Sequence, residues 1–544
     1  MKPPLSTLLF LAALSASAPA QISVDETQQL LPSTATSGHQ YGRAVAMDGD
    51  RLVIGASDTP TGGTDAAYVY VLQGNSWVLE DTLTQPGGST LDGFGRRVAI
   101  DGDTLVVCSN HNGFVFVRSG GSWSFQDELP PIGSGSYYSV SVALSGDTAL
   151  IGQSGMTEAW AYVWVRSGSS WSLQTRLETS GGFNSTAFGS SVAVIGDVAF
   201  VGAPTDDEGS SDTGAVLVFE RNGTSWTQTG KIIGNQPPHN RRLGTALAVQ
   251  PALGGGFDVI GGGAGPNSSG AYVFSGSAAS WTQHEDIENT TFGSNDWFGS
   301  SVAISGNRIV VGAWIADSGA PNGGAGTVFS RCGRRWVRQG DFVGSDLAGS
   351  DGLASSAALA EDTLVLGSPF RDAGATISGA AYSYDLAEHA ISEFCFGDGS
   401  GTSCPCTNPS AVGAGQGCAN STGEGGRLVC DDGLQASDDD LRAYACGLLA
   451  GQPALLFSGE QAVNGGAGVI FGDGLRCAGG NTIRLAVRFA DGSGRADWGP
   501  GLGATGGWSA GDTRSLQGWY RDPAGSPCGA GFNLTNGVEL TFVP

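Results

Sequence analysis

Phe188–Pro204 reads FGSSVAVIGDVAFVGAP, and this stretch recurs along the chain. YGRAVAMDGDRLVIGAS begins at Tyr41, FGRRVAIDGDTLVVCSN at Phe94 and YSVSVALSGDTALIGQS at Tyr138. LGTALAVQPALGGGFDVIGGG begins at Leu243, FGSSVAISGNRIVVGAW at Phe298 and LASSAALAEDTLVLGSP at Leu353. The seven starts lie 53, 44, 50, 55, 55 and 55 residues apart, and a period of this size marks a repeat architecture. Within each unit apolar residues alternate with small ones, as around Val45 and Met47, which reads as a strand. A polar pair such as Asp48-Gly49 or Asp101-Gly102 then reverses the chain, and Asp-Gly suits a two-residue turn in which both positions take positive φ. A second strand follows, as in Arg51-Leu52-Val53-Ile54. The Gly-Ala-Pro type ending, clearest at Gly202-Ala203-Pro204, allows close backbone packing and stops the strand.

Outward from this core each unit holds a second hairpin. AYVYVLQGNSW ends at Trp77, FVFVRSGGSW at Trp123, YVWVRSGSSW at Trp171, VLVFERNGTSW at Trp226, YVFSGSAASW at Trp281 and TVFSRCGRRW at Trp336. Four strands per unit make one propeller blade, and the tryptophans read as packing residues between blades. The seventh unit differs: after AAYSYDL (380–386) comes AEHAISEFC, with no Trp and no good outer strand. The segment ISVDETQQLLP (22–32) resembles the stretch after each Trp, such as VLEDTLTQP (78–86). The N-terminal strand is therefore expected to complete the last blade, closing the ring and removing two sheet edges.

Composition agrees with a turn-rich β protein. Gly supplies 90 of 544 residues, which disfavours long helices because Gly costs about 1 kcal/mol per helical position relative to Ala. Hydrophobic residues still make up 40%, enough for a core, so neither disorder nor collagen fits. The net charge of −25 repels nucleic-acid phosphates and anionic membranes. MKPPLSTLLFLAALSASAPAQ carries a basic start, an apolar run and Ala18-Pro19-Ala20, the pattern of a signal peptide cleaved after Ala20. No other run approaches the ~20 apolar residues of a membrane-spanning helix. A secreted, extracellular or cell-surface location is expected. Of ten cysteines, Cys108 and Cys332 precede residue 390, in units two and six, and are not expected to pair. The others are Cys395, Cys404, Cys406, Cys418, Cys430, Cys446, Cys477 and Cys528. Export makes these eight disulfide candidates with unreadable connectivity. The Cys404-Pro405-Cys406 spacing is tighter than zinc sites use, and no His follows His389.

The seven units resemble the FG-GAP repeats of the integrin α-subunit propeller and its bacterial relatives. The resemblance covers about residues 21–390 and implies a seven-bladed β-propeller, often displayed outside the cell for adhesion or ligand binding. Integrin-type blades often carry an Asp-x-Asp-x-Asp-Gly calcium loop between the two core strands. Here that connection has shrunk to Asp48-Gly49-Asp50, Asp101-Gly102-Asp103, Ser145-Gly146-Asp147, Ile195-Gly196-Asp197 and Ser305-Gly306-Asn307. Such a turn is too short to wrap six or more oxygens around one ion. In the fifth unit the longer loop, Gln250 to Phe257, holds no carboxylate, and Asp258 stands alone. No calcium, other metal or cofactor is expected. Phe394-Cys395-Phe396-Gly397-Asp398-Gly399 with Cys404-Pro405-Cys406, FGDGLRCAGG (471–480), GWYRD (518–522) and FNLTNG (532–537) resemble a Cys-rich β module at the ends of secreted proteins of planctomycete-like bacteria. IRLAVRF (483–489) and VELTFVP (538–544) alternate as half-buried strands. The expected fold is all-β, a seven-bladed β-propeller followed by a small disulfide-rich β-sandwich-like module. Its expected divisions are 1–20 signal peptide, 21–390 propeller and 391–544 Cys-rich module.

No catalytic constellation emerges. Gly507-Trp508-Ser509-Ala510-Gly511 matches the hydrolase nucleophile elbow, but loop residues GPGLGATG precede it and no His follows. His39, His111, His239, His284 and His389 are scattered and read as surface loop residues. Acidic residues gather in the loops after Gly-Ala-Pro: Asp206, Asp207, Glu208 and Asp212 in unit four, Asp58 and Asp65 in unit one, Asp317 in unit six and Asp372 in unit seven. Propeller loops of one type share a face, so Asp206, Asp207, Asp212, Asp58, Asp317 and Asp372 are the candidate binding residues. The first expectation is an exported, non-enzymatic, monomeric binding or adhesion protein. Its partner would be an extracellular protein or polysaccharide, and its C-terminal module would serve attachment or sorting. The alternatives are a secreted carbohydrate-active enzyme using loop carboxylates and a structural envelope protein without specific ligand.

Overall fold

A computed structural model describes residues 23–24, 26–33, 36–57, 65–87, 92–130, 138–154, 159–179, 186–207, 211–235, 240–252, 255–265, 268–288, 292–293, 295–387, 391–523 and 525–544. The expected signal peptide lies outside the described residues. Among the described residues seven sheets follow one another as blades, six of four antiparallel strands and the sixth blade of five, its added strand parallel. Blade one runs through Tyr41–Asp48, Arg51–Ala56, Ala66–Gln73 and Ser76–Leu83. Later blades begin with inner strands Arg97–Asp101, Tyr138–Ser145, Val192–Ile195, Leu243–Pro251, Phe298–Ser305 and Ser356–Ala360. Blade seven has three strands from its own unit, and Gln28–Leu30 pairs antiparallel with Ala380–Asp385 as the fourth. Ser23–Val24 pairs parallel with Arg335–Phe342 of blade six. The N-terminal segment thus closes the ring, as its likeness to the outer strands implies.

The turn chemistry differs from expectation in one detail. Asp48 pairs with Arg51, so the loop residues are Gly49 and Asp50 rather than Asp48 and Gly49. Gly49 alone takes positive φ, at 54°. The Asp48 carboxylate is left free to reach the next blade, where it accepts the Gly102 N–H at 2.6 Å. Ser145 accepts from Gly196 at 3.1 Å, and Ser305 from Glu361 at 2.9 Å, in the same way. Asp258 in the longer fifth-unit loop region is buried and paired with Arg331 of blade six at 2.9 Å.

The core is built between blades. One buried cluster joins Val53, Val69 and Leu83 of blade one to Phe94, Val107 and Phe116 of blade two. Another joins Tyr41, Leu52 and Tyr68 of blade one to Leu30, Val365 and Ala381 of blade seven. Each sheet therefore has two apolar faces, which explains why second strands such as Arg51–Ala56 read as near-continuous apolar runs. The tryptophans also span the junctions: the indole N–H of Trp77, Trp123, Trp171 and Trp226 donates to Ser383, Glu80, Gln126 and Gln174 of the preceding blade.

The glycines of the repeat meet one another. A Cβ on Gly202, in the Gly-Ala-Pro of blade four, would stand 2.2 Å from the carbonyl oxygen of Gly244, which opens blade five. Gly55 faces the Gly95 carbonyl, Gly262 that of Gly299, and Gly367 that of Gly42 in the same manner. The serine two places after the opening glycine adds a clamp: Ser191 donates to the Gly244 carbonyl at 2.6 Å and Ser356 to that of Gly42 at 2.8 Å. The junction of blades two and three lacks both glycines, with Cys108 and Ser139 in their places.

The C-terminal module is a β-sandwich-like pair of sheets. Ile391–Phe394, Phe532–Thr541, Thr513–Arg521, Pro453–Gly459 and Ile483–Phe489 form one sheet, in that order. Arg427–Cys430, Ala443–Cys446 and Ala496–Trp498 form the other. Leu428, Trp498, Leu456, Leu516, Tyr520 and Val538 share the core between them. Where a loop is expected before Gly507, Leu502–Gly506 forms one helical turn.

The disulfides correct one expectation. Cys395–Cys477, Cys404–Cys418 and Cys406–Cys528 lie within the module, but Cys446 pairs with Cys332 of blade six. Cys430, expected among the disulfide cysteines, is a buried thiol, as is Cys108. Burial pushes the Cys108 thiol up to about 12 and raises that of Cys430 as well, so neither is reactive near neutrality. Further contacts join ring and module: Arg338 pairs with Asp432, Gln339 donates to the Cys430 carbonyl at 2.8 Å, and Arg335 stacks 5.1 Å from the Tyr444 ring.

Asp431 in this module predicts a pH dependence. Burial pushes its carboxyl up to about 6, although the backbone N–H groups of Arg442 and Gly433 favour the charged form. A folded-state value above the unfolded one stabilises the fold fully below about pH 4, and that contribution is lost as pH rises through about 6. The melting temperature of Asp431→Asn minus that of the wild type is therefore expected to increase between pH 4 and 7. The corresponding free-energy change is on the order of 1–2 kcal/mol. A flat difference curve would show that Asp431 ionises normally.

Candidate functional site

Each inner strand turns its opening residues toward the axis of the ring. In blades one, five and six the register skips Gly42-Arg43, Gly244-Thr245 and Gly299-Ser300, and a bulge of this kind re-aims a side chain. Residues from all seven inner strands line an axial cavity of about 480 Å³. Five blades contribute small or neutral groups to it, including Ser190, Thr245, Ser300 and Ser355. Blades one and two contribute Arg43 and Arg97. Trp297, Trp314 and Phe370 of blades six and seven form an aromatic arc beside them, with ring centroids 6.2 Å and 5.7 Å apart in sequence.

Among the described residues the arginines have no acidic partner. Arg97 donates to the carbonyls of Val140 at 2.6 Å and Arg96 at 2.8 Å, Arg43 to Gln40 at 3.0 Å, and neighbouring Arg96 to Asn110 at 3.0 Å. Among the described residues no carboxylate lies within ion-pair distance of the three. Burial first, and then repulsion from Arg43 and Arg96, lowers Arg97 to about 10. Burial and then Arg96 lower Arg43 as well. Among the described residues the buried Nε of Arg96 has no hydrogen-bond partner.

The loops after Gly-Ala-Pro border this channel, since Trp314 and Phe370 belong to them. Asp207, Asp317 and Asp372 occupy equivalent exposed places in blades four, six and seven. Each carboxylate accepts the backbone N–H five residues on, from Asp212, Asn322 and Ile377, at 2.8, 2.9 and 2.7 Å. Those three residues all take positive φ, between 52° and 54°, so one loop design is used three times. Asp206 is buried and paired with Lys231 at 2.9 Å, and Asp212 lies 3.6 Å from Arg242. The fold thus brings Asp206, Asp207 and Asp212 into one loop and leaves Asp317 and Asp372 in two others. Asp58 lies outside the described residues, while Asp65 is buried and accepts the Gly93 N–H at 2.8 Å.

Two further carboxylates escaped the sequence reading. Burial raises Asp296, and neighbouring Asp317 raises it further. Burial likewise raises Asp351, with Asp372 and Asp346 adding to the effect. Lining up the seven units would have singled out the arginines: the third and fourth places read Arg-Ala and Arg-Arg in units one and two, and Ser-Ser in units four, six and seven.

Other sequence candidates resolve as structural. The Ser509 elbow has its short helix before it and a strand, Thr513–Arg521, after it, the reverse of a hydrolase elbow. Ser509 donates its backbone N–H to Asp512 at 2.9 Å. Cys404 and Cys406 both belong to disulfides. His39 is buried rather than on the surface, packed edge-on to Tyr68 at 6.0 Å. His284 lies in the outer strand of blade five, Ser280–Glu288, half-buried and lowered first by burial. His239 and His389 lie outside the described residues. Among the described residues no three His, Cys, Asp or Glu side chains gather as a metal site, and no helix is long and apolar enough to cross a membrane.

The family profile described as "FG-GAP repeat" matches residues 24–71, 77–122, 171–219 and 281–329. The matched segments beginning at Trp77, Trp171 and Trp281 each start in the outer strand of one blade and run into the second hairpin of the next. No curated protein matches the chain. Among solved structures, a protein from Lactobacillus plantarum is 14% identical, with 56% of this chain and 86% of that one covered and a TM-score of 0.39. A 6-phosphogluconolactonase candidate from Bacteroides uniformis is 12% identical, with the same two coverages and a TM-score of 0.41. Neither likeness bears on activity. With four repeats matched and most blade junctions closed by the glycines of Phe-Gly and Gly-Ala-Pro, the chain carries FG-GAP repeats in a seven-bladed β-propeller, followed by a disulfide-bonded C-terminal β module.

Proposed function

We propose that this is an exported, non-enzymatic binding or adhesion protein, acting as a monomer, with the loop face of the propeller as its ligand platform. The observation that carries this reading is the repeated brace at Asp207, Asp317 and Asp372. A carboxylate already held by its own backbone loses little freedom when a partner arrives, so more of the contact energy appears as affinity. Four disulfides fit an oxidising compartment. The C-terminal module, read as an attachment or sorting domain, exposes Val469, Ile470, Phe471, Val487 and Phe489, apolar surface of the kind that interaction sites use. The partner class is an extracellular protein or polysaccharide, and the reading needs no metal or cofactor.

The triple variant Asp207→Asn, Asp317→Asn, Asp372→Asn keeps each bracing oxygen and removes three charges. Full-length protein should bind a polysaccharide or cell-envelope fraction saturably, and the triple variant about tenfold more weakly, a loss of about 1.4 kcal/mol. Equal binding by both would remove the loop carboxylates from the reading. One observation favours a second reading, a carbohydrate-active enzyme: burial and then Asp317 raise the carboxyl of Asp296, which directly precedes Trp297 of the aromatic wall. Shortening of a polysaccharide by the wild type and not by Asp296→Asn would establish it.

A further inference from the structure

We infer that the axial channel is a separate binding site for an acidic sugar, a uronate whose carboxylate is held by Arg43 and Arg97 and whose ring lies on Trp297 and Trp314. The chain carries 51 acidic and 26 basic residues, yet these two guanidiniums, with Arg96 beside them, converge without a carboxylate among the described residues. Stability alone disfavours such a cluster, because burial and mutual repulsion both act against the charged forms. A bound anion removes that conflict. The guanidinium fork matches a carboxylate in plane and spacing, and most donors of Arg43 and Arg96 have no acceptor among the described residues.

The neighbouring wall sets the rest of the ligand. Trp297, Trp314 and Phe370 present half-buried aromatic faces to the same cavity. Sugar rings carry C–H groups that pack against such faces, while Ser300, Ser355 and Ser190, whose hydroxyls donate to backbone carbonyls, leave oxygen acceptors for the sugar's own hydroxyls. The volume, about 480 Å³, falls in the range of small-molecule sites of roughly 300–1,000 Å³.

The test is calorimetric titration of the full-length protein with a neutral disaccharide bearing one terminal glucuronate. The same disaccharide without the carboxylate and inorganic sulfate serve as comparison probes. Binding of the uronate is expected, at least tenfold stronger than the neutral sugar and weakened severalfold by 0.5 M salt. Arg43→Gln and Trp314→Ala should each weaken it at least tenfold. Arg43→Gln should leave the melting temperature unchanged or raise it, because a repulsive neighbour is removed. No uronate binding, equal binding of the neutral sugar, or an Arg43→Gln variant that binds normally would each overturn the proposal. Sulfate binding that ignores Trp314→Ala would overturn its sugar half. A steep fall in melting temperature in Arg43→Gln would assign the arginine to structure instead. Asp207→Asn, in the loop of blade four away from the aromatic wall, should bind the uronate as the wild type does while weakening the loop platform, which separates failure of this site from failure of that platform.

Discussion

Gly202→Val is expected to prevent the ring from closing. A Cβ at this position would lie 2.2 Å from the Gly244 carbonyl oxygen and 2.3 Å from the Ser191 hydroxyl. The first of these is backbone of the next blade, and it is already fixed as the acceptor of the Ser191 hydroxyl. Neither side can retreat without separating blades four and five, whose shared cluster includes Phe200, Val218, Val259 and Tyr272. Overpacking in a well-packed core costs about 1–3 kcal/mol and occasionally more. Here the contact is backbone against backbone and the displaced layer is apolar on both faces, so a loss above about 3 kcal/mol is expected. In the module Gly492 supplies the contrast: its φ is unrestricted and an added Cβ meets nothing within 4 Å, so Gly492→Ala should stay within about 0.5 kcal/mol of the wild type. Thermal melts of both variants decide the matter, and a Gly202→Val protein as stable as Gly492→Ala would falsify the junction account.

The second large effect is expected from the double variant Cys332→Ala, Cys446→Ala. This bridge spans 114 residues of sequence, and in the chain-entropy account a loop of that length is worth about 4–5 kcal/mol. It is also a covalent link between blade six and the module. Without it the seam keeps Arg338–Asp432, the Gln339 and Asn307 hydrogen bonds, Arg335 against the Tyr444 ring and the small cluster of Val337, Val429 and Tyr444. The wild type is expected to melt in one transition and this variant in two, with module and ring unfolding at different temperatures and a loss of about 3–5 kcal/mol. Cys430→Ala tests the assignment from the other side. It removes a buried sulfur but no bridge, so one transition should remain, lowered by about 1 kcal/mol. Non-reducing peptide mapping that joins Cys430 to Cys446, and leaves Cys332 free, would reverse both expectations.

The legible part of this protein was the part encoded locally. Seven recurrences of one pattern, Gly at fixed places, a Trp ending six hairpins and an N-terminal segment resembling the outer strands were enough to read the propeller and its closure. Turns, strands and blade junctions depend on residues within one repeat of each other, so their signals add up over seven copies. The glycine pair shows the limit of that reading. Close packing could be inferred from Gly202, but the group it packs against, the Gly244 carbonyl, belongs to the next repeat.

The candidate site divides along the same line. Asp207, Asp317 and Asp372 could be found by register, because they recur. That each is braced by an N–H five residues later follows from loop conformation. Arg43 and Arg97 are neighbours only because seven inner strands surround one axis, and Cys332 meets Cys446 only because the module docks on blade six. The repeat, the blade and the closed ring are written into the chain locally, since periodic hydrophobicity and backbone sterics act over a few residues. The tertiary structure alone decided the disulfide partners, the seam and the charged channel, since these arise where residues far apart in the chain are brought together and water is excluded from between them.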